Sequence, residues 1–399
     1  AAVLIKRNST GDNYLAAYLQ SYKTPKLRAS ISEYFVYDDL AYHALITDTK
    51  RNNRYKEVFK RYLKNKIVLD IGSGPEAILS QFCIEAGADK VYSIEISKEV
   101  YEKAKKHIEK KGLSDKIILI NDDITKVALP EKVDYCVSEI VGPIGGSEGA
   151  AKLINASRKL LKSPQNMLPK RSITKVAGVC FPENLHDYKF DTIGKHYVEK
   201  IFDKVGYKFD LRLCVEDFSS DNVITTDAVF EDLDFTQPLD LEGDHDIRLE
   251  FTKSSQITGF LVWLNLLIDE DICIDTLSEK YSWLPVYLPV FKNEIKVKPG
   301  DYIEATVSRR LSDNDLNPDF TVRGSLFRKH REKIDFKYKS VNHEKLYRHN
   351  SFYKKLFEHD TVQVSEQVPI NPAQLTQYLK QYLPEYMIPS VWVELDAIP

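Results

Sequence analysis

Between residues 67 and 137, short apolar runs alternate with longer stretches whose apolar positions recur at helical spacing. The runs 67–71, 91–95, 116–120 and 133–137 read as buried strands. The stretches 76–87 and 98–112 read as helices, the second with Ser97 as its N-cap. This alternation predicts a parallel sheet with helices on both faces. From Ser172 to Lys337 the period changes. Segments 173–181, 247–252, 259–268, 286–291 and 302–309 are β-rich or alternate apolar with polar residues, with Pro, Gly and Asp between them. They predict an antiparallel sandwich or barrel. Residues 1–23 read as two strands joined by a polar turn at 8–13, and residues 32–66 mix charged and aromatic residues at helical spacing. Residues 338–366 read as a helical bridge. The stretch 367–399 reads as a helix (372–382), a Pro-rich turn and a strand (391–395).

The first apolar run ends in Asp70-Ile71-Gly72-Ser73-Gly74-Pro75, and the second ends in Glu95. Gly72 and Gly74 give a turn that lets a ligand approach backbone, and Glu95 can accept from both hydroxyls of a ribose. The turn is neither Gly-x-Gly-x-x-Gly nor a P-loop. A nucleoside without a pyrophosphate suits it, with S-adenosylmethionine as the candidate. The fourth run enters Ser138-Glu139-Ile140-Val141-Gly142-Pro143-Ile144-Gly145-Gly146-Ser147-Glu148, outside the carboxyl ends of the strands, where open α/β sheets place their chemistry. Its two carboxylates can bind a cation, or one can take a proton from a nucleophile. Alternatively, Glu139 faces the cofactor and Glu148 is a solvated acid at a helix start.

At 399 residues two or three domains are expected, and 56 basic against 59 acidic side chains leave no basic tract for nucleic acid. The longest apolar run, 259–268, is too short to span a bilayer, and the amino end lacks a signal-peptide core. Five scattered cysteines without CxxC spacing argue against disulfides or a metal site and for a reducing cytoplasm.

Residues 34–337 resemble the protein arginine methyltransferase family. The resemblance rests on Tyr34-Phe35, Asp48-x-x-Arg51 with Tyr55, the run 68–74, Glu95, Ser138-Glu139 with Glu148 at the family's double-glutamate spacing, and Met167-Leu168-Pro169. It implies a class I Rossmann-like α/β sheet followed by an antiparallel β-barrel. It implies S-adenosylmethionine held by Asp70, Gly72, Gly74, Glu95, Asp122, Asp123, Ile124 and Glu139, with Arg51 near the methionine carboxylate and Tyr34 and Phe35 on a lid helix. Glu139 and Glu148 would be catalytic, and Tyr37, Ser282 and Trp283 would meet substrate. The chain departs from the family in having Tyr281-Ser282-Trp283 where the family has Thr-His-Trp. The segment between Tyr34 and Asp48 is shorter, which affects Tyr37 and His43. Pro143, Gly145 and Gly146 suggest an open loop, and no dimerisation arm is evident, so a monomer is expected.

The ends carry a second resemblance. The run 375–390, with Leu383-Pro384-Glu385-Tyr386-Met387-Ile388-Pro389, and the opening Val3-Leu4-Ile5 with 11–18, resemble the C-terminal subdomain of a nonribosomal peptide synthetase adenylation domain. This implies a small α+β subdomain split by an inserted methyltransferase. The expected layout is subdomain at 1–23, linker and lid helices at 24–66, cofactor domain at 67–170, β-barrel at 171–337, helical linker at 338–366 and subdomain again at 367–399. With neither the adenylating core nor the final lysine loop, the chain is expected to activate no amino acid. The expected reaction is methylation of an amino or hydroxy acid on a carrier-protein phosphopantetheine arm, slightly favouring a hydroxyl over the α-amine. A stand-alone arginine methyltransferase and a non-catalytic scaffold are the alternatives.

Overall fold

The computed structural model describes residues 25–181, 190–328 and 332–358 throughout, and the backbone of 2–7 and 13–18. Ala2–Arg7 pairs antiparallel with Asn13–Tyr18, in line with the two predicted strands. Residues 357–399 form a separate unit that lies almost wholly outside the described residues, as does the predicted packing of 1–23 against 367–399.

The central parallel sheet has the order Ile117–Ile120, Lys90–Ile94, Ile67–Ile71, Tyr135–Ser138, Met167–Leu168. Ile67–Ile71 is the earliest strand of this sheet in sequence and sits between the second, Lys90–Ile94, and the fourth, Tyr135–Ser138. The strand order therefore reverses beside it, which opens a crevice beyond the carboxyl ends. Helices Thr49–Tyr62, Ile78–Glu85, Lys98–Lys110 and Ala150–Arg158 accompany the sheet. Ser97 caps Lys98–Lys110, accepting from Val100 N at 3.4 Å. The predicted helix 76–87 is shorter in fact, because Ala77 is left-handed (φ 47°) and the helix begins only after it.

The second half is antiparallel. A seven-stranded sheet runs Ala228–Asp234, Arg171–Val179, Gly259–Leu267, Val286–Leu288, Leu213–Glu216, Lys26–Ala29, with Cys273–Asp275 on the side of Gly259–Leu267. A four-stranded sheet runs Gly243–Glu250, Tyr302–Leu311, Pro318–Phe327, Lys333–Ser340. Inward residues of both sheets, among them Val176, Phe260, Leu249, Val307 and Val322, form one apolar core. Lys26–Ala29 was expected to be linker. Its alternating burial completes the first sheet against Leu213–Glu216 instead. Residues 338–340, expected in a helical bridge, end a strand, and the helix there is confined to Ser351–Leu356.

The patterning also missed a helix, Thr192–Val205, inside the β half. Asp191 caps it by accepting from Gly194 N at 2.9 Å, and Gly206 ends it at φ 87°. Tyr197, Val198, Ile201 and Phe202 form its buried stripe. Each half also inserts side chains into the other's core. Tyr281 and Trp283 join the parallel half, and Ile144 joins the β half. Among the described residues no helix is long and apolar enough to cross a membrane.

Candidate active site

Three adjacent strand ends converge. Ile67–Ile71 leads to the glycine turn, Lys90–Ile94 to Glu95, and Tyr135–Ser138 to Glu139. Gly72 and Gly74 take φ of 80° and 65°, values that strain any residue with a Cβ. The turn is tied to the next strand by Gly72 N and Ser73 N, which both donate to Ile94 O, at 2.9 and 3.2 Å. Asp70 is buried beneath it, and its Oδ2 accepts from Ser80 Oγ at 2.5 Å and Ser93 Oγ at 3.2 Å. It therefore fixes the strand–turn–helix geometry from below the turn. Burial raises its carboxyl to about 6.

Glu95 is 8% exposed. Its Oε2 accepts from Gly74 N at 3.1 Å and its Oε1 from Ser97 N at 2.9 Å. Each oxygen keeps a lone pair for a ribose hydroxyl. Burial raises its carboxyl despite these bonds. Asn121 Nδ2 donates to Glu95 O at 2.8 Å, bringing Asp122–Ile124 beside it. Asp122 is exposed, Asp123 Oδ1 accepts from Thr125 N at 2.9 Å, and Ile124 is buried. Glu95→Ala removes a charge-assisted contact and should weaken S-adenosylmethionine binding by roughly 1.5–3 kcal/mol. Calorimetry is the check, and unchanged affinity would remove Glu95 from the site.

Arg51 comes from the first turn of Thr49–Tyr62 and is 1% exposed. Its Nη2 pairs with Glu139 Oε2, its Nη1 donates to Leu45 O at 2.6 Å, and its buried Nε has no partner among the described residues. That free donor fits a cofactor carboxylate. Together with the glycine cradle and the diol-accepting Glu95, it makes the donor set match S-adenosylmethionine. Asp48 caps the same helix by accepting from Arg51 N at 3.0 Å, and its Oδ2 accepts from Ser282 N at 2.7 Å. Ser282 and Trp283 are thus brought to the site as fasteners. Trp283 Nε1 donates to Val141 O at 2.9 Å, and its ring lies 5.8 Å from the Arg51 guanidinium.

Glu148 lies in a turn two residues before Ala150–Arg158, not at the helix start. Burial and the nearby Glu139 push its carboxyl up to about 8, with Ser32 opposing. Burial also raises Glu139, with Arg51 pulling the other way. Burial, followed by the charges of Glu148 and Glu139, lifts the Tyr37 hydroxyl well above the usual range. Tyr42, which sequence reasoning did not single out, stacks on Tyr37 at 5.3 Å and 24°. A Cβ on Gly74 would meet the Tyr42 ring at 3.9 Å. The stacked pair therefore spans from the glycine turn to the acids.

Tyr34 and Phe35 are a correction. Ser32–Tyr34 is a single 3-10 turn, not a lid helix. Tyr34 is buried, its hydroxyl donates to Asn342 O at 2.5 Å, and its ring lies 5.6 Å from Phe209. Phe35 faces outward beside Lys204. The cause is Glu33, whose buried carboxylate pairs with Arg212 and fixes this turn to the β half. The helix over the site starts only at Asp39 and runs to Thr47.

The acidic loop is not open either, because residues 141–147 are buried. Besides the Trp283 bond to Val141, Gly145 N donates to Thr174 Oγ1 at 2.9 Å and Gly146 N to Glu231 Oε2 at 2.7 Å. Asn317 Nδ2 donates to Ser147 O at 2.7 Å. Glu231 is itself buried and paired with Arg309 at 3.1 Å. A Cβ on Gly146 would stand 2.6 Å from Glu231 Oε1. Gly146→Ala should therefore cost about 1–3 kcal/mol in a urea titration and lower turnover, because the loop moves. A variant as stable and active as the parent would show that this packing is slack.

A family model described as a methyltransferase domain matches residues 51–179. A protein arginine N-methyltransferase 6 of Danio rerio is 30% identical over 261 residues, covering 61% of this chain and 74% of the relative. A protein arginine N-methyltransferase 1 of Schizosaccharomyces pombe is 28% identical over 307 residues, covering 70% and 86%. Two solved structures share the fold. Protein arginine methyltransferase 10 of Arabidopsis thaliana has a TM-score of 0.61 at 19% identity, covering 75% of this chain and 96% of that one. The Trypanosoma brucei PRMT1 enzyme–prozyme complex with AdoHcy also has a TM-score of 0.61, at 20% identity and 75% and 98% coverage. The glycine turn, the strand-end acids and these relatives agree: the chain is an S-adenosylmethionine-dependent methyltransferase and belongs to the protein arginine N-methyltransferase family.

Proposed function

We propose that the chain methylates an amino or hydroxy acid held as a thioester on a carrier-protein phosphopantetheine arm. It would do so as a cytoplasmic, monomeric module set into the C-terminal subdomain of a peptide synthetase adenylation domain. In this reading the two antiparallel sheets are the family's barrel, and 1–23 and 367–399 are the split subdomain beside the adenylating core of the parent synthetase. The observation that carries the chemistry is the placement of two acids on one loop: Glu139 follows the strand Tyr135–Ser138, and Glu148 lies in the turn before Ala150–Arg158, where burial and the charge of Glu139 push its carboxyl up to about 8. Its pKa lies near working pH, where a general base is most effective. Bound S-adenosylmethionine supplies an electrophilic methyl group. Arg51 neutralises Glu139 and holds it in place, so Glu139 orients the nucleophile while Glu148 takes the proton the nucleophile loses. A hydroxyl is slightly favoured over the α-amine because it depends more on such a base. The carrier reading draws its support from the resemblance of the two ends to the adenylation subdomain.

A second reading, methylation of arginine in a protein, is favoured by the fission-yeast and zebrafish relatives, both arginine N-methyltransferases by name. One experiment separates the two. The chain is incubated with S-adenosylmethionine and carrier protein loaded with Ser, Thr, Val or a hydroxy acid, and in parallel with an arginine-rich peptide alone. Fragmentation mass spectrometry then locates the methyl. A methyl on the tethered acid is expected. Transfer to the peptide alone overturns the carrier reading, and transfer to neither overturns both.

A further inference from the structure

We infer that Asp38 is a positioning residue through which the helix Thr192–Val205 of the β half holds the helix Asp39–Thr47, with Tyr42, over the cofactor turn. Four donors converge on its carboxylate. Oδ1 accepts from Ala41 N at 3.0 Å, as the helix N-cap, and from Tyr197 OH at 2.8 Å. Oδ2 accepts from Lys200 Nζ at 2.6 Å and His196 Nε2 at 3.1 Å. His196, Tyr197 and Lys200 share one face of their helix. One turn further on, Lys204 Nζ donates to Phe35 O at 2.8 Å, so the same helix grips the chain on both sides of residues 36–37. The gripping helix is itself seated by its buried stripe and capped at both ends. On the other side, the polar tie from Asp39–Thr47 to the helix Lys98–Lys110 is an exposed pair, Lys103 with Asp39 at 3.3 Å, which contributes little.

The consequence for the site runs through Tyr42. Its amide donates to Asp38 O at 2.9 Å, its ring approaches the Gly74 position, and the ring stacks on Tyr37. Release of Asp38 frees the first turn that carries this ring, and cofactor retention falls although no group that touches the cofactor has changed. This inference rests on the assignment of the cofactor to the glycine turn and Glu95.

The test uses Asp38→Ala, Asp38→Asn and the double variant Tyr197→Phe, Lys200→Met, which leaves the cap intact. Asp38→Ala should raise the S-adenosylmethionine dissociation constant on the order of 10-fold. The double variant should raise it severalfold, and Asp38→Asn, which keeps an accepting cap, should recover part of the loss. At saturating cofactor kcat should stay within about twofold, and amides 39–47 should exchange hydrogen faster in the double variant while the rest of the chain does not. If the double variant folds with unchanged cofactor affinity and unchanged exchange at 39–47, the inference is overturned. A lowered melting temperature alone, with affinity retained, overturns it too. Glu95→Ala, measured alongside, separates the two readings. Should it also leave affinity unchanged, the cofactor assignment fails. Should it weaken binding while the clamp variants do not, only the role of Asp38 fails.

Discussion

Replacing Glu148 with glutamine should lower turnover on the order of 10²–10⁴-fold and leave S-adenosylmethionine affinity nearly intact. The amide keeps the shape and one acceptor but cannot take a proton. The pH dependence gives a second reading of the same residue. Its carboxyl sits at about 8 instead of the ordinary 4.5, and only the ionised form can accept a proton. The parent's kcat/KM should therefore rise with pH along a limb centred near 8, and that limb should vanish in the variant. Stability should move the opposite way. The folded chain holds a proton on Glu148 that the unfolded chain releases from pH 4.5 upward, so this residue's contribution is lost as pH rises toward 8. Glutamine does not titrate, so the variant should gain stability relative to the parent over that interval. Parent-like turnover, or a limb that survives the substitution, would assign the base elsewhere.

Arg212→Met should be the most damaging single change to stability. The Arg212 and Glu33 side chains are 2% and 0% exposed. Arg212 also donates to Ser340 Oγ, Ser340 O and Pro318 O, each at 2.8 Å, and lies over the Phe320 ring. Removing the guanidinium leaves a carboxylate buried without a counter-charge, a defect that costs about 3–5 kcal/mol. Against a typical total stability of about 5–15 kcal/mol, this brings the chain close to unfolding. Adding Glu33→Gln should return part of the loss, because no uncompensated charge then remains. Urea midpoints decide the matter, and a loss below about 1 kcal/mol for the single variant would show that the pair is dispensable.

Four strands of the parallel sheet were legible because each is a short apolar run, and burial on both faces needs no alternation to be recognised; the fifth, Met167–Leu168, is two residues long and was missed. The strands 171–179 and 302–311 were legible by alternation over part of their length, and 259–267 as a β-rich apolar run. What stayed hidden depends on partners distant in sequence. Nothing local marks Lys26–Ala29 as an edge strand, since Leu213–Glu216 supplies the pairing. Glu231 looks like one more charge in an acidic strand until Gly146, 85 residues away, is seen to donate to it. The helix Thr192–Val205 did carry local signals, Asp191 before it and Gly206 after, but they lay within a stretch whose prevailing period was that of strands. Tyr34 and Phe35 show the limit of resemblance. Motif position carried over, but the surroundings did not, because the Glu33–Arg212 pair draws that turn into the β half.

The anchoring of residues 141–147 bears on how such an enzyme can be divided or recombined. Trp283, Thr174, Glu231 and Asn317, all from the antiparallel half, fix the peptide groups between the two acids. The cofactor-binding half therefore carries both carboxylates in its sequence but not the information that shapes them. A crossover placed between the two halves passes on the acids and discards their mould. Inheritance of the chemistry then requires both halves to travel together as one block, whatever flanking sequence they are placed in.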